Sequence, residues 1–130
     1  LRADHLPAYG YQHVSTPALD ALVADAVLFE RAYSHAPQTL PSHASIFSGR
    51  LPFEHGVRDN LGFTVRPDER LLPRMLSEHG FATAGIVSSY VLRAEVGIGD
   101  GFDLYDSQMP VADADVVVDL FVNGVRAARP

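Results

Sequence analysis

Residues 81–87, Phe-Ala-Thr-Ala-Gly-Ile-Val, carry almost no polar side chain. A strand of that kind is covered on both faces, as strands of parallel sheets are. Residues 69–79 precede it with helical spacing: Leu72, Met75 and Leu76 face inward, and Gly80 supplies the stop. The same alternation occurs earlier. Residues 1–14 read as loop, broken by Pro7 and Gly10. Thr16-Pro17 then opens a helix, a hydroxyl cap followed by proline, with Leu19, Leu22, Val23 and Ala26 as its apolar face. Residues 27–33 follow as a strand beginning Val27-Leu28-Phe29. Helices alternating with buried strands predict an α/β fold with a mostly parallel sheet. Only two strands are evident, and a stable parallel sheet needs more. The sequence therefore reads as part of a larger fold.

The stretch from Ala36 to Gly56 carries the chemistry. Pro41 fits a first helical position, Ala44 and Phe47 continue an apolar stripe, and Gly49 can end the helix in a left-handed turn. Thr39 and Ser42 then flank the N-terminus of this helix, where outward N–H groups and the helix dipole favour anions. A hydroxyl there is either a cap or a nucleophile facing a bound oxyanion. The preceding strand and loop place Thr39 at the carboxyl end of a strand, where open α/β sheets bind ligands. Beyond it, residues 51–67 are irregular and contain Arg58-Asp59-Asn60. Residues 90–96 suggest a short helix, 97–106 a loop rich in glycine and aspartate, and 112–128 a last helix carrying Val116, Val117, Leu120 and Val125.

Thr39-Leu40-Pro41-Ser42-His43, with Ser48-Gly49-Arg50 and His55-Gly56-Val57 behind it, resembles the sulfatase branch of the alkaline phosphatase superfamily. The family pattern is C-x-P-S-R, then a T-G-R-like triplet and H-G-V. Leu1-Arg2-Ala3-Asp4-His5-Leu6 resembles the tail of its D-x-x-R-x-D-x-L motif. Tyr9-Gly10 and Thr16-Pro17-Ala18-Leu19-Asp20-Ala21-Leu22 resemble its Y-G…T-P-x-L-D-x-L run. The resemblance implies an alkaline-phosphatase-like α/β fold of which residues 1–130 form the N-terminal part of one domain. It implies a divalent metal (Ca, Mg, Mn or Zn) bridging nucleophile and substrate. Most of the metal's ligands would lie outside this chain, in the remainder of the same polypeptide.

By that resemblance Thr39 holds the nucleophile's position and is a metal ligand. Threonine is not a substrate for conversion to formylglycine, so the nucleophile would be a plain hydroxyl, as in phosphodiesterase and phosphotransferase relatives. His43 stands where the family has arginine. It is a second catalytic candidate, set against a polar helix residue facing solvent. Asn60 is a candidate substrate contact, set against a local turn. Ser42 reads as structural and His55 as fixing a turn. Arg50 could reach an anion, although an arginine past a helix end more often pairs with its last carbonyls. The second family signature would fall on Gly80-Phe81-Ala82-Thr83 onward, with Ser88 at its lysine position and Tyr90 at its histidine position. Asp100, Asp103 and Asp106 lack the spacing and closing glutamate of a calcium loop, so they read as solvated.

Composition excludes several roles. The net charge of −6 without a basic cluster argues against nucleic acid as a partner. Every basic residue except histidine is arginine, so nothing in this chain can do a lysine's work. There is no cysteine, hence no disulfide and no thiolate ligand. No apolar run approaches the ~20 residues of a membrane-spanning helix. The expected activity is cleavage of a small-molecule sulfate or phosphate ester by metal-assisted attack from Thr39. The alternatives are a phosphoryl-group transferase of the same superfamily and a non-catalytic anion-binding or interaction domain.

Overall fold

The computed structural model describes residues 2–107, with 118–119 and 122–123. Those last four positions are helical. The rest of the helix expected over 112–128, including Val116, Val117, Leu120 and Val125, lies outside the described residues. The chain forms two compact units, divided between Tyr33 and Ser34.

The first unit holds two 3-10 turns, Ala3–His5 and Pro7–Tyr9, and helix α1, Pro17–Asp25. Pro17 sits in the first turn, as the sequence predicts, but Thr16 does not cap it through its side chain. Its hydroxyl donates instead to Asp20 Oδ1 at 3.2 Å. Leu19 and Val23 are half-buried while Leu22 is exposed. The strand expected over residues 27–33 does not form: Val27 is 80% exposed and Tyr33 81%. Among the described residues its long-range hydrogen bond in this unit is from the Tyr9 hydroxyl, which donates to the Phe29 carbonyl at 2.9 Å. A strand exists only through a ladder, and these residues have no neighbouring strand among the described residues. High β-propensity cannot replace that partner.

The second unit contains helices α2 (Thr39–Ser48), α3 (Pro52–His55) and α4 (Leu72–Glu78) and strands β1 (Ala84–Ile86) and β2 (Leu104–Asp106). The two strands are parallel, with Ala84 opposite Leu104, Gly85 opposite Tyr105 and Ile86 opposite Asp106. The parallel α/β character is as the sequence predicts, but the second strand is Leu104–Asp106, inside the stretch expected as loop. Its alternation is too short to stand out between Asp103 and Asp106. The stretch 90–96 forms two 3-10 turns, Tyr90–Leu92 and Ala94–Val96, rather than one helix. The core gathers Leu40 and Ala44 of α2 with Val57, Val65, Leu71, Leu92, Val96 and Ile98.

Two further departures concern residues 69–87. Helix α4 starts at Leu72 instead of Glu69, whose carboxylate meets Arg50 and Arg66. This start places Pro73 in the first turn of the helix, where a missing N–H costs nothing. Its buried residues are then Pro73 and, just before it, Leu71, whereas Leu72, Met75 and Leu76 remain exposed. Gly80 does end this segment, at φ +81°. Strand β1 is only half-buried, and Phe81 before it is 62% exposed. The double coverage predicted for residues 81–87 is therefore incomplete among the described residues.

Tyr105 shows why two glycines are needed. A Cβ at Gly85 would lie 2.7 Å from its ring, and one at Gly99 would lie 2.5 Å from it. Its hydroxyl donates to the Leu92 carbonyl at 2.6 Å, and burial pushes its pKa up to about 12. Gly85→Ala and Gly99→Ala should each destabilise by about 1–3 kcal/mol through overpacking. In a Tyr105→Leu background the two substitutions should cost markedly less. Urea melts of the four-member cycles check this, since contacting residues give non-additive effects.

Candidate active site around the first turn of α2

Helix α2 starts at Thr39, two residues earlier than Pro41 suggests. Gln38 is the N-cap and makes no side-chain capping bond. Thr39 therefore stands inside the first turn and is not the cap. The turn is held from outside. The Leu40 N–H donates to Asn60 Oδ1 at 2.9 Å, so a residue twenty positions away closes a helix end that a local hydroxyl would ordinarily close. Pro41 still occupies one of the first four positions, where its missing N–H costs nothing. Leu40 and Ala44 are almost fully buried and fix the rotation of the helix. Gly49, at φ +68°, ends it as predicted, with its N–H donating to the Ser45 carbonyl at 2.9 Å.

Thr39 is half-buried, and its hydroxyl makes no hydrogen bond among the described residues. The groups around it are committed. His43 Nδ1 lies 2.8 Å from the Thr39 carbonyl. A carbonyl only accepts, so Nδ1 carries the proton and Nε2 is left as the free nitrogen. A neutral His43 has therefore already used its single N–H. The ring is half-buried and meets Phe47 edge-on at 6.4 Å, so His43 does not stand free in solvent. Ser42 Oγ pairs with Ser34 Oγ at 2.9 Å, which ties the loop before α2 to its first turn. Asn60 spends its oxygen on Leu40 and keeps its amide N–H groups available.

The structure thus brings Thr39, His43 and Asn60 to one helix end. Arg50 is not part of that group. It reaches neither the last carbonyls of α2 nor the first turn. Its guanidinium donates to both oxygens of Glu69, at 3.0 and 3.2 Å. Arg66 joins the same carboxylate at 2.9 Å, and the Glu69 side chain is only 3% exposed. This buried acid was missed, since nothing in the sequence distinguishes Glu69 from the other surface acids. Ser88 and Tyr90, at the family's lysine and histidine positions, follow β1, and Tyr90 is exposed with Arg93 stacked on its ring. Among the acidic residues of the late loop, Asp103 is structural. It accepts from the Thr83 N–H at 2.7 Å and the Thr83 hydroxyl at 3.0 Å, and these bonds hold its carboxyl below the usual range.

A metal site is not completed here. Among the described residues no three His, Cys, Asp or Glu side chains cluster so as to hold an ion. Thr39 would be a single ligand, and these residues do not by themselves fit a divalent metal.

His55 fixes a turn, as predicted, and does more. It is 2% exposed, and its Nδ1 accepts from the Val57 N–H at 3.1 Å. Nε2 must then carry the proton, and it donates to Ser45 Oγ of α2 at 3.0 Å. Burial lowers its pKa. Glu69 and Glu54 act in the opposite sense, while Arg50 and Arg66 reinforce burial. This geometry requires the neutral ring, because a protonated Nδ1 would face the Val57 N–H.

The fold is alkaline-phosphatase-like: a solved 2-O GAG sulfatase matches with a TM-score of 0.66 and 25% identity, over 88% of this chain and 25% of that one. The chain belongs to the sulfatase family, whose model matches residues 1–114. It is 30% identical to an N-acetylglucosamine-6-O-sulfatase of Bacteroides thetaiotaomicron over 62% of this chain and 14% of the relative. It is 33% identical to the N-acetylgalactosamine-6-sulfatase of Homo sapiens over 60% of this chain and 17% of the relative. The chain thus spans less than a fifth of the length of these relatives.

The His55 geometry yields a pH prediction. The folded-state pKa lies below the unfolded value near 6.5, so the unfolded chain binds more protons in the window between them. Stability from this residue is complete above that range. It falls as pH drops through 6.5 toward the folded value, by at most ~1.4 kcal/mol per pH unit. His55→Gln should be less stable at neutral pH and should lose this component of the pH dependence. Denaturant midpoints of both proteins between pH 5 and 8 test it. Parallel profiles would show that His55 does not titrate in the expected sense.

Proposed function

We propose that this chain supplies the nucleophile end of a sulfatase-like ester hydrolase, as the N-terminal part of one domain. Thr39 Oγ1 would attack the sulfur or phosphorus of a sulfate or phosphate ester, displacing the alcohol. The observation that carries this reading is the uncommitted Thr39 hydroxyl on an α2 first turn whose other groups are pinned by Asn60, His43 and Ser34. A hydroxyl with no structural duty, at the positive end of a helix dipole and beside the Thr39 N–H, which makes no hydrogen bond among the described residues, is arranged for chemistry rather than capping.

In this reading Asn60 positions the first turn through Leu40 and offers its amide N–H groups to the ester oxygens. His43 holds the Thr39 carbonyl and so orients the nucleophile. The reading includes a divalent ion, Ca, Mg, Mn or Zn, which would lower the pKa of the Thr39 hydroxyl and whose other ligands come from outside the described residues. The relatives' names direct the first substrate trials to 6-sulfated amino sugars. Aryl phosphates and phosphoryl acceptors follow, because a plain hydroxyl also suits phosphoryl transfer.

One observation favours a second reading. Ser88 and Tyr90 replace the lysine and histidine of the family pattern, and the chain contains no lysine. A non-catalytic domain that binds anions at the start of α2 would have this composition. The two readings separate on Thr39. Thr39→Val keeps the branched shape, and since Thr39 is not the cap its stability should change by no more than about 0.5 kcal/mol. In the full-length protein with added divalent metal, turnover should fall by ~10²–10⁴-fold or more, while Thr39→Ser keeps measurable turnover. Near-normal turnover in a folded Thr39→Val protein would remove Thr39 as nucleophile. No turnover in the native protein, with anion binding retained, would establish the non-catalytic reading.

Asn60 is tested separately. Asn60→Ala leaves the Leu40 N–H buried without a partner and should cost about 1–3 kcal/mol. Asn60→Asp keeps the acceptor but loses the amide N–H groups. It should preserve stability while weakening anion binding, as read by melting and by phosphate competition.

A further inference from the structure

One short segment, residues 55–60, grips helix α2 at two points. In the body of the helix, Ser45 Oγ accepts from His55 Nε2–H at 3.0 Å. At its start, the Leu40 N–H donates to Asn60 Oδ1 at 2.9 Å. His55 and Asn60 are linked through Val57, whose N–H donates back to His55 Nδ1 at 3.1 Å and whose side chain is fully buried. Arg58 and Asp59, between Val57 and Asn60, are exposed, and Asp59 Oδ1 accepts the Asn60 N–H at 2.6 Å. The place of Asn60 against α2 is therefore set by the run 57–60. That run is held at its beginning by the Val57 side chain and the His55 ring.

The ring can hold both partners in only one protonation state. Neutral, with its proton on Nε2, it donates to Ser45 and accepts from Val57. A second proton on Nδ1 would face the Val57 N–H, two donors with no acceptor between them in a buried site. A half-turn of the ring gives no relief, because it sets C–H groups against both partners. The bond to Ser45 survives protonation, and Leu40 and Ala44 fix α2 in the core. The Gly56–Val57 peptide is the part that can yield. Gly56 is at φ +84°, and apart from its chain neighbours nothing lies within 4 Å of where a side chain on it would stand. The charges that act on the ring are Glu54 in α3 and the cluster of Glu69 with Arg50 and Arg66. Burial foremost, and then the two arginines, oppose a second proton, against the pull of Glu69 and Glu54. The ring therefore stays neutral until the pH falls below the ordinary histidine range.

We propose that His55 is a positioning residue for the first turn of α2: the neutral ring holds the run 57–60 so that Asn60 closes that turn over the Leu40 N–H, and a proton on Nδ1 frees the Gly56–Val57 peptide and lets Asn60 leave. The end of α2 that carries Thr39 thereby passes from ordered to loose as pH falls. His55 acts only through Val57 and Asn60, and none of its hydrogen bonds goes to the first turn itself. The consequence for turnover rests on the reading of Thr39 as nucleophile; the consequence for the Leu40 N–H does not. A loose first turn misplaces Thr39, the neighbour of Leu40, and withdraws the Asn60 amide from the ester. The kcat/KM of the full-length protein then carries an acid limb whose midpoint is that of His55.

The test follows two NMR signals of the full-length protein between about pH 8 and 5, the range in which histidines titrate. One is the His55 ring Cε1 shift. The other is the protection of the Leu40 amide, taken relative to its intrinsic exchange rate at each pH. Circular dichroism marks where the protein stays folded. Leu40 protection should fall by at least about tenfold, since exchange reports local opening, and with the midpoint of the His55 ring. His55→Asn keeps an acceptor for the Val57 N–H and cannot take up a proton, so it should hold Leu40 protection level across the range. A fall in that variant like the native one overturns the proposal. So does a protonated His55 with Leu40 protection unchanged, a fall with another midpoint, or a ring that stays neutral until the protein unfolds. If His55→Asn does not fold, the native titration alone decides. His43 is told apart, because a proton on its free Nε2 leaves the Nδ1 bond to the Thr39 carbonyl in place and does not touch Asn60. Absence of turnover in a native protein whose His55 and Leu40 signals move together would end the Thr39 reading and leave this one standing.

Discussion

The second unit depends on one buried imidazole. His55 reaches Ser45 in α2 with one ring nitrogen and the Val57 N–H with the other, and so ties α2, α3 and the chain beyond to one another. Val57, fully buried in the core, then starts a loop that returns Asn60 to the Leu40 N–H. The helix end that carries Thr39 is therefore built from both sides. Its register comes from apolar residues facing the core, and its first turn from a loop that His55 anchors. Both nitrogens are satisfied without charge, which is how a buried histidine avoids a desolvation penalty.

A second buried polar centre sits behind the first. Glu69 holds Arg50, just past the end of α2, and Arg66 in the loop that leads to α4. Two arginines on one buried carboxylate leave it with charge partners on both sides, and the guanidinium groups remain half-exposed to water. Breaking such a centre by removing one member costs more than the pair contributes, because the remaining charge stays buried. The arrangement also accounts for Arg50, which the sequence offers as an anion ligand. Its Nη1 is held by the Glu69 carboxylate, which turns the guanidinium away from the first turn of α2.

The family was legible in residues 36–60 because turn and helix chemistry there is local. Gly49 and Gly56 mark helix ends through positive φ, Pro41 marks a first turn, and the order of Thr39, Ser42 and His43 carries the family resemblance. The strand over 27–33 was misread because its apolar run looks like a strand whether or not a partner is present. The strand at 104–106 was missed because three residues cannot show a period. Leu72, Met75 and Leu76 keep helical spacing, yet the helix buries Pro73 and, before it, Leu71 instead.

By itself the sequence determined the α/β class, the helix that follows Thr39 and its glycine stop, the absence of any thiolate or lysine chemistry, and the sulfatase pattern. These follow from residue type and near-neighbour spacing, which backbone sterics and helix ends read directly. Only the tertiary structure decided that Thr39 is not a cap, that His43 spends its proton on the Thr39 carbonyl, that Asn60 closes the helix, and that Arg50 belongs to Glu69. Hydrogen-bond partners are chosen by which groups are buried together, and residues such as Leu40 and Asn60, twenty positions apart, meet only in the folded chain.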